Sequence, residues 1–566
     1  MKYVKKMTSL ALLSFISISL YAQTQGQGQD PLLDILRSEL NHQFTKMQNL
    51  EQPPHFMDFR VVDETRRGVH TEFGTVTGIV NTRVRNFVPS IRIGDMEFDN
   101  MIDPAQAVMA GWWGGHVNLP LNDDHPMAIK QVIWNECFNR YRRAVDDLER
   151  AIARRDVRVE LEDRAPSFTE APIEIYFEPP LAPEKTMFDE EYWSNRMRAL
   201  SALFLKNPDI ASGSASVSFR HQRRYYLNTE GTEIVQNLTY ADISIHAMIR
   251  AEDGMTLPLF TNYFAFFPDG LPANEEIIVD VLSMIDRLVL LQNAPLVSPF
   301  TGPALLSGAA SGVFFHEIFG HRIEGQRLKS DGDGQTFKRM VGQSVLPASL
   351  SVFDDPTMRQ YLGRDLSGFY KFDDQGVRGE RVEVVRDGIL TNFLMTRTPI
   401  DGFYRSTGHA RADMGFEVES RQSNLIIETS DPKSDEELRR LLIEEAIAQG
   451  REYGFFFNTV AGGFTQTSAR AVNSFAVIPL EVYRVFVDGR PDEMVRGVDL
   501  IGTPLSMFAG IIYAGTMESA QIFFGTCIAD SGSIPVTAIS PTILVRQIEM
   551  QRRPRASDRG PILPRP

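Results

Sequence analysis

The sequence predicts an α+β protein with two domains, an N-terminal α/β domain with a mixed sheet and a C-terminal β-rich domain. In residues 31–298, stretches with helical apolar spacing alternate with strand-like runs. Residues 299–551 are instead dominated by short apolar strands separated by turn residues. Prolines and glycines interrupt the helical pattern within Asn293–Pro303, where we place the boundary. With 566 residues and 43% apolar content, the chain can bury two sizeable cores.

The N-terminal region is predicted to alternate helices and strands. Apolar residues at helical spacing predict helices over Pro31–Gln48, Pro126–Ala153, Glu190–Phe204 and Glu275–Leu291. Apolar and β-branched runs predict strands at Phe56–Val62, Thr75–Val84, Ser90–Ile93 and Ile173–Phe177, and between Ala215 and Met248. The last run contains the turn signal Asn228–Gly231, so it is expected to form more than one strand.

The C-terminal region is predicted to carry two helices among short strands. The helices are expected at the apolar segment Val313–Glu324 and at Lys433–Gln449. The strands that the pattern marks most clearly are Arg381–Val385, Ile389–Met395 and Val482–Val487, next to Asp-Gly turns. The basic tail Arg552–Pro566 has no periodic apolar face and is predicted to be disordered.

The first 22 residues have the order of a secretory signal peptide. Lys2, Lys5 and Lys6 precede an apolar stretch from Ser9 to Tyr21 that ends at Ala22, where we expect cleavage. The alternative is a membrane anchor, but an apolar core of ~13 residues is shorter than the ~20 needed to span a bilayer. The protein is therefore predicted to be periplasmic or secreted.

The mature chain is predicted to be acidic and free of membrane spans. Its first residue, Gln23, is not the cysteine that a lipid-anchored bacterial protein needs, and Gln23–Asp30 is expected to be disordered. Loss of the three leader lysines changes the formal charge from −15 to −18, that is −15 minus 3. An excess of negative charge argues against non-specific binding to nucleic acid.

The chain has two cysteines, Cys137 and Cys527, whose pairing matters for function. In an oxidising compartment they can form one disulfide, which would remove Cys527 from any chemistry. Alternatively, both are free and have separate roles.

The segment Val313–Glu324 reads V-F-F-H-E-I-F-G-H-R-I-E and has the composition of a metal-hydrolysis site. His316 and His321 can offer imidazole nitrogens to Zn²⁺, and Glu317 could activate a metal-bound water. The histidines are five residues apart, about 140° around a regular helix, whereas the H-E-x-x-H pattern places them about 40° apart. Both can reach one ion only if the helix is distorted, and Gly320 is where a distortion is easiest.

Other interpretations of this segment are open. A histidine pair on an apolar helix is often a hydrogen-bonded core feature, although burial next to the apolar run Ala309–Phe315 would be costly for unpaired polar groups. Glu324 lies three residues after His321 and can orient that imidazole, or pair with Arg322 or Arg327 at the solvent edge.

With these residues in place, the chain resembles the TldD/PmbA family of zinc metalloproteases. The signature is His316-Glu317, Gly320-His321 and Glu324-Gly325. Further blocks that resemble the family follow in order: Phe372–Gly376, Val384–Leu390, Ser406–Ala410, Arg421–Asn424, Gly525–Cys527, Ser533–Val536 and Ser540–Leu544. The resemblance covers Pro303 to about Ile548.

The resemblance implies a third metal ligand and an active, TldD-like subunit. In active members, two histidines and a C-terminal cysteine hold the zinc, which assigns His316, His321 and Cys527 here. Two imidazoles and a thiolate leave the fourth position open for water, with Glu317 as general base. The family further implies a homodimer or heterodimer that encloses the site and accepts peptides or unfolded segments.

Three functional hypotheses follow. The first is a zinc metallopeptidase that uses a metal-activated water and Glu317. The second is a non-catalytic subunit or binding partner of a related metalloprotease. The third makes Cys527 a thiol nucleophile with His316 or His409 as its base, but it leaves Glu317 without a role.

Overall fold

The computed structural model describes residues 30–101, 116–155, 163–329, 335–467 and 474–553. The predicted signal peptide lies outside these residues, as do most of the two predicted disordered segments. Strands between residues 54 and 265 form one mixed sheet, and strands between 300 and 552 form the other sheets, with helices interspersed. The α+β class is confirmed.

The N-terminal sheet has seven strands in the order β3-β2-β1-β5-β6-β4, with β7 also paired to β6. Its strands are β1 Pro54–Glu72, β2 Thr75–Ile93, β3 Val117–Asn118, β4 Ile175–Phe177, β5 Ile210–Asn228, β6 Glu233–Arg250 and β7 Thr256–Ala265. The helices of this region are α1 Pro31–Met47, α2 Pro126–Arg155, α3 Pro183–Thr186, α4 Glu190–Ala202 and α5 Asn274–Asn293. Because β4 runs parallel to β6 and the other pairs are antiparallel, the sheet is mixed, as predicted.

Strands β1 and β2 are longer than predicted and form one continuous hairpin. The expected break between Val84 and Ser90 is absent, because β2 stays paired to β1 throughout this stretch. Polar residues of the hairpin pair across the strands, since Arg83 and Arg85 both donate to Asp63. Phe73 and Gly74 make the tight turn with φ values of 45° and 80°, the left-handed conformation of two-residue hairpin turns.

The two faces of this sheet have different partners. Because side chains alternate along a strand, odd-numbered residues such as Val217 and Ile243 pack against α4 and α5 in an apolar core. Met57 and Phe59 on the same face pack against α1 and α2. The even-numbered face carries polar side chains such as Ser218 and faces the C-terminal region.

The C-terminal region holds many short strands and three helices among its described residues. The strands are β8 Phe300–Leu306, β9 Leu350–Asp354, β10 Gln360–Tyr361, β11 Arg364–Asp365, β12 Val382–Arg386, β13 Ile389–Leu390, β14 Ala410–Arg411, β15 Glu419–Ser420, β16 Asn424–Thr429, β17 Pro432–Lys433, β18 Tyr453–Gln466, β19 Ser474–Phe486, β20 Glu493–Val495, β21 Val498–Gly502, β22 Ile511–Gly515, β23 Gln521–Ala529, β24 Gly532–Ser540 and β25 Ile543–Arg552. The helices are α6 Gly308–Ile318, α7 Asp435–Ala448 and α8 Pro504–Ala509.

Two sheets enclose helix α6. The eight-stranded sheet closes on itself, because β8 pairs with β18 on one side and with β25 on the other. The six-stranded sheet has the order β13-β12-β9-β16-β24-β23, so β23 lies at its edge. Helix α6 packs between β18 of the first sheet and β23 and β24 of the second.

Several predicted boundaries shift. The predicted helix Val313–Glu324 ends already at Ile318, and the predicted strand Ile389–Met395 is only β13. Both predicted disordered segments extend into ordered structure. Asp30 caps α1 by accepting from the Leu33 backbone N–H at 3.1 Å, and Arg552 is the last residue of β25.

No helix within the described ranges is long and apolar enough to cross a membrane.

Ion pairs join the N-terminal and C-terminal regions. The guanidinium of Arg397 is fully buried and donates to both oxygens of Glu230, at 2.7 and 2.8 Å, and to the Thr169 carbonyl. Arg224 donates to Asp374 at 3.0 Å, and Arg287 donates to Glu481 at 2.7 Å. These contacts join the N-terminal sheet and helix α5 to the C-terminal region.

Replacement of Arg397 by Ala should destabilise the protein by about 3 kcal/mol, because it leaves the Glu230 carboxylate and the Thr169 carbonyl without their donor. Denaturant-induced unfolding measures this change. Arg405→Ala is the matched control, since Arg405 makes a similar two-oxygen contact with Glu380 at an exposed position and should cost no more than about 1 kcal/mol. Equal losses for the two variants would contradict the bridging role of Arg397.

Candidate metal centre

Helix α6 brings His316 and Glu317 into the space between the two C-terminal sheets. The Ser307 hydroxyl accepts from the Ala310 backbone N–H at 3.2 Å and caps the helix. A Cβ atom on Gly308 would lie 2.3 Å from the Ser540 carbonyl oxygen, so the helix start touches β24. Most of the helix is buried, and His316 and Glu317 lie on its last turn.

The α-helix stops before the second histidine. It ends at Ile318, and Gly320–Arg322 form a 3₁₀ turn. The rings of His316 and His321 then stand 5.0 Å apart, centroid to centroid. The five-residue spacing, which a regular helix would spread about 140°, is therefore compatible with one shared ion.

The side chain of Gln422 occupies the space at which the helix changes direction. A Cβ atom on Gly320 would lie 1.9 Å from the Gln422 amide oxygen. Any larger residue at position 320 would therefore require this buried amide to move. The expectation of a distortion at Gly320 is met by a change from α-helix to 3₁₀ turn.

Cys527 of β23 joins the histidines from far along the chain. Its sulfur lies 3.4 Å from Nε2 of His321, and the ligand atoms of Cys527, His316 and His321 all lie within 4.8 Å of one another. Both cysteines are free, and Cys137 is buried in the core around α1 and α2. The disulfide alternative is therefore not what the structure shows.

His409 does not take part in this cluster. It is fully buried, with Nε2 at 3.2 Å from Asp354 and Nδ1 at 2.9 Å from the Thr407 carbonyl oxygen. These contacts give His409 a structural role, so the thiol-nucleophile hypothesis retains only His316 as its base.

The charges in the cluster favour a thiolate. Burial on its own would raise the pKa of the Cys527 thiol, but Arg421 and the two histidines lower it well below its ordinary value. Burial would likewise lower the pKa of His321, yet Cys527 and Glu324 raise it to about 10. A thiolate is the form of cysteine that binds metal ions, and metal binding would displace protons from the imidazoles.

The donor set fits a zinc ion. Two imidazole nitrogens and one sulfur converge on a small buried volume, and His₂Cys with one open position is a donor set found at catalytic zinc sites. Nδ1 of His321 is 3.3 Å from Glu324, as is usual for ligand histidines, whose second nitrogen contacts a carboxylate. Nε2 is thereby left for the ion.

Glu324 is fully buried, so the solvent-edge interpretation of this residue is wrong. Its carboxylate faces His321 and also lies 2.8 Å from the Nε atom of Arg327. Burial opposes its ionisation, but His321 and Arg327 lower the pKa of Glu324 to about 2. Arg322 donates instead to the carbonyl oxygens of Glu317 and Ile318, where it covers the end of α6.

Arg421 connects the two halves of the cluster. It is fully buried and donates to the Cys527 carbonyl oxygen at 2.8 Å and to the Ser531 hydroxyl at 2.6 Å. Its Nε atom is 3.4 Å from Glu324. Local sequence patterns indicate no role for this residue, because its partners lie 97 to 110 positions away in the chain, at Glu324 and Ser531. The block Arg421–Asn424 was the one available signal.

Glu317 lies at the wall of a cavity. It is 7% exposed, and burial raises its pKa above the ordinary value. A Cβ atom on Gly463 of β18 would lie 2.6 Å from the Glu317 Cγ atom, so the carboxylate is held in place by the bare backbone of the neighbouring strand. Glu317 and His316 both line a cavity of about 800 Å³.

The cavity lies between the N-terminal sheet and the candidate metal centre. One wall is the polar face of β1, β5, β6 and β7, and the other consists of α6, β18, β23 and β24. Each region supplies side chains to the same space, so the candidate site depends on the position of the N-terminal sheet.

Replacement of Gly320 by Ala should disrupt the metal centre, because the new methyl group and the Gln422 amide cannot occupy the same space. We expect at least a tenfold loss of Zn²⁺ affinity and a destabilisation of about 1–3 kcal/mol, measured by metal titration and unfolding. Gly78→Ala is the control, since its nearest neighbour would be 3.9 Å away. Unchanged zinc affinity in Gly320→Ala would contradict the packing constraint.

Replacement of Arg421 by Met should weaken metal binding by about 10- to 100-fold, because Cys527 and Glu324 lose their common partner. Zn²⁺ affinity and the Co²⁺-thiolate absorption band are the measurements. Arg421→Lys should restore only part of the affinity, since lysine cannot contact three groups with one planar fork. An absorption band and an affinity equal to those of the parent protein would rule out this role.

Comparisons with known proteins agree with this site. Residues 300–552 match the PmbA/TldA metallopeptidase C-terminal domain. A protein from Archaeoglobus fulgidus named metalloprotease is 28% identical over 60% of this chain and 73% of its own length. A Saccharolobus solfataricus protein named zinc metalloprotease TldD homolog is 22% identical over 64% and 76%. The chain matches 47%, about half, of the length of a protein from Methanothermobacter thermautotrophicus named metalloprotease.

Solved structures show the same fold over most of the chain. TldE from Thermococcus kodakarensis has a TM-score of 0.57 at 13% identity and covers 92% of this chain and all, 100%, of its own. A Thermotoga maritima protein has a TM-score of 0.60 at 15% identity, over 91% and 99%. At such identities the likeness concerns the fold alone. Residues 300–552 are thus similar to the C-terminal domain of PmbA/TldA metallopeptidases, and the chain is similar to proteins named metalloprotease.

Proposed function

We propose that this protein is a zinc-dependent metallopeptidase that hydrolyses peptides or unfolded polypeptide segments. The observation that carries the proposal is the convergence of His316, His321 and Cys527 within 4.8 Å, beside Glu317 at the wall of a cavity. The metalloprotease names of the relatives support the reaction class.

The three ligands and their supports have separate tasks. His316, His321 and Cys527 would hold the ion, while Glu324 fixes the ring orientation of His321. A zinc ion in this position supplies Lewis-acid chemistry, because it polarises a carbonyl group and makes water more acidic.

Glu317 is suited to the role of general base. Because the pKa of Glu317 is raised towards neutral pH, its carboxylate can both accept and return a proton. In the proposed reaction, Glu317 takes a proton from the attacking water and gives it to the leaving amine. Because Gly463 confines its side chain, the carboxylate can transfer the proton without reorganisation.

The cavity limits the substrates. A space of about 800 Å³ between two walls admits a short length of extended chain, and a folded domain is far too large to enter it. Peptides and unfolded segments are therefore the proposed substrates.

The parent protein should contain about one zinc ion per chain and cleave an unfolded substrate such as casein. Glu317→Gln should keep the zinc and lose at least about 100-fold in activity, whereas Cys527→Ser and His316→Ala should lose zinc as well. Glu452→Gln, at an exposed position, is the matched control and should behave like the parent. Zinc content by elemental analysis and peptide release are measured on the same samples.

Other outcomes identify the competing hypotheses. Full activity in Glu317→Gln would disprove the general-base role. A zinc-loaded protein that is inert against a broad peptide library would favour a non-catalytic subunit. Inhibition by thiol alkylation together with resistance to chelators would favour the Cys527 nucleophile.

A further inference from the structure

Two arginines stand side by side on the cavity wall opposite the candidate metal centre. Arg66 of β1 and Arg220 of β5 are direct cross-strand partners. Opposite residues of an antiparallel pair project from the same face of the sheet, and here that face lines the cavity that also contains His316 and Glu317.

Of these two like charges, only Arg220 has a direct ionic partner within the described part of the chain. Like charges directly opposite each other in a sheet destabilise it. Arg220 is held by the ring of Tyr240, with its guanidinium carbon 4.5 Å from the ring centroid, and by Glu64 at 3.9 Å. Arg66 is exposed in the cavity, and among the described residues its guanidinium makes no ion pair or hydrogen bond.

Among the described residues of the cavity, no acidic side chain forms a direct ion pair with Arg66. Glu64 is 8% exposed, and its carboxylate already accepts from the Gln222 amide at 2.5 Å. Asp413 accepts from the backbone N–H groups of Met414 and Ser533. Asp242 interacts electrostatically with both arginines, and with a pKa raised by burial to about 6 it is mostly ionised near neutral pH, but it forms no direct ion pair with either of them.

The remaining acid of the cavity is Glu317 on the opposite wall. The neutral groups beside the arginines include Ser218, Ser244 and Asn262, which can donate hydrogen bonds without adding charge. Arg66 is therefore the charged side chain of this wall that is exposed to the cavity and has no direct ion pair among the described residues.

We propose that Arg66 and Arg220 form a subsite that binds a carboxylate of the peptide substrate. Guanidinium groups bind carboxylates through two parallel hydrogen bonds, and a bound carboxylate would relieve the repulsion between the two arginines. The inference rests on the proposed peptidase function, and it defines the preferred substrates as peptides with a free C-terminus or an acidic side chain.

Binding to zinc-loaded Glu317→Gln protein tests the subsite without requiring cleavage. The probes are four fluorescent versions of one unstructured peptide: with Glu and a free C-terminus, with Gln in place of Glu, with a C-terminal amide, and with both changes. We expect about tenfold weaker binding when the recognised carboxylate is removed. The single-change peptides show whether the side chain or the C-terminus is bound.

Arginine variants in the same background connect the preference to the two residues. Arg66→Gln and Arg220→Gln should reduce the preference to about twofold or less, and Arg66→Glu should reverse it towards a peptide with Lys in place of Glu. Arg143→Gln, which removes an exposed arginine from α2, should keep the full preference. Thermal unfolding checks that the variants are folded.

Equal affinity for all four peptides, or an unchanged preference in Arg66→Gln, would overturn the subsite. These results are distinguishable from failure of the peptidase proposal. A carboxylate preference in binding, combined with no cleavage by the parent protein, would uphold the subsite and refute the peptidase. Cleavage of all four peptides at equal rates, with equal binding, would do the reverse.

Discussion

The candidate metal centre depends on the end of the helix that carries His316, where the buried side chain of Gln422 packs against Gly320. A continued α-helix would point the two histidines about 140° apart. The buried amide of Gln422 packs directly on Gly320, and the chain turns into a 3₁₀ turn that faces His321 back towards His316. With glycine at position 320, two histidines five residues apart can thus approach one ion.

The remaining order of the centre comes from buried charges of alternating sign. Glu324 lies among His321, Arg327 and Arg421, and Arg421 lies between Glu324 and the backbone of Cys527. Each charge would be expensive to bury on its own. Together they position His321 and Cys527, which are 206 positions apart in the chain.

Much of this could be predicted from the sequence, and the failures have physical causes. Helical periodicity predicted both ends of α2 and α5 to within two residues, because the apolar spacing of an amphipathic helix is visible in the local sequence. The hairpin of β1 and β2 was broken wrongly at Val84, since its polar residues pair across strands rather than with solvent. Local spacing indicated His316 and Glu317, whereas Cys527 required resemblance. Arg66 and Arg220 meet only through strand register, which no local pattern reveals.

The closure of the eight-stranded sheet affects the local opening of the C-terminal region. Strand β8, which leads directly into α6, is hydrogen-bonded on both sides, to β18 and to β25. Over Ala304–Leu306 it has a partner on each side, so the amides of these residues should exchange with solvent more slowly than those of an edge strand. The start of α6 follows directly on this doubly paired segment. Local opening of the outer loops would therefore leave His316 in position.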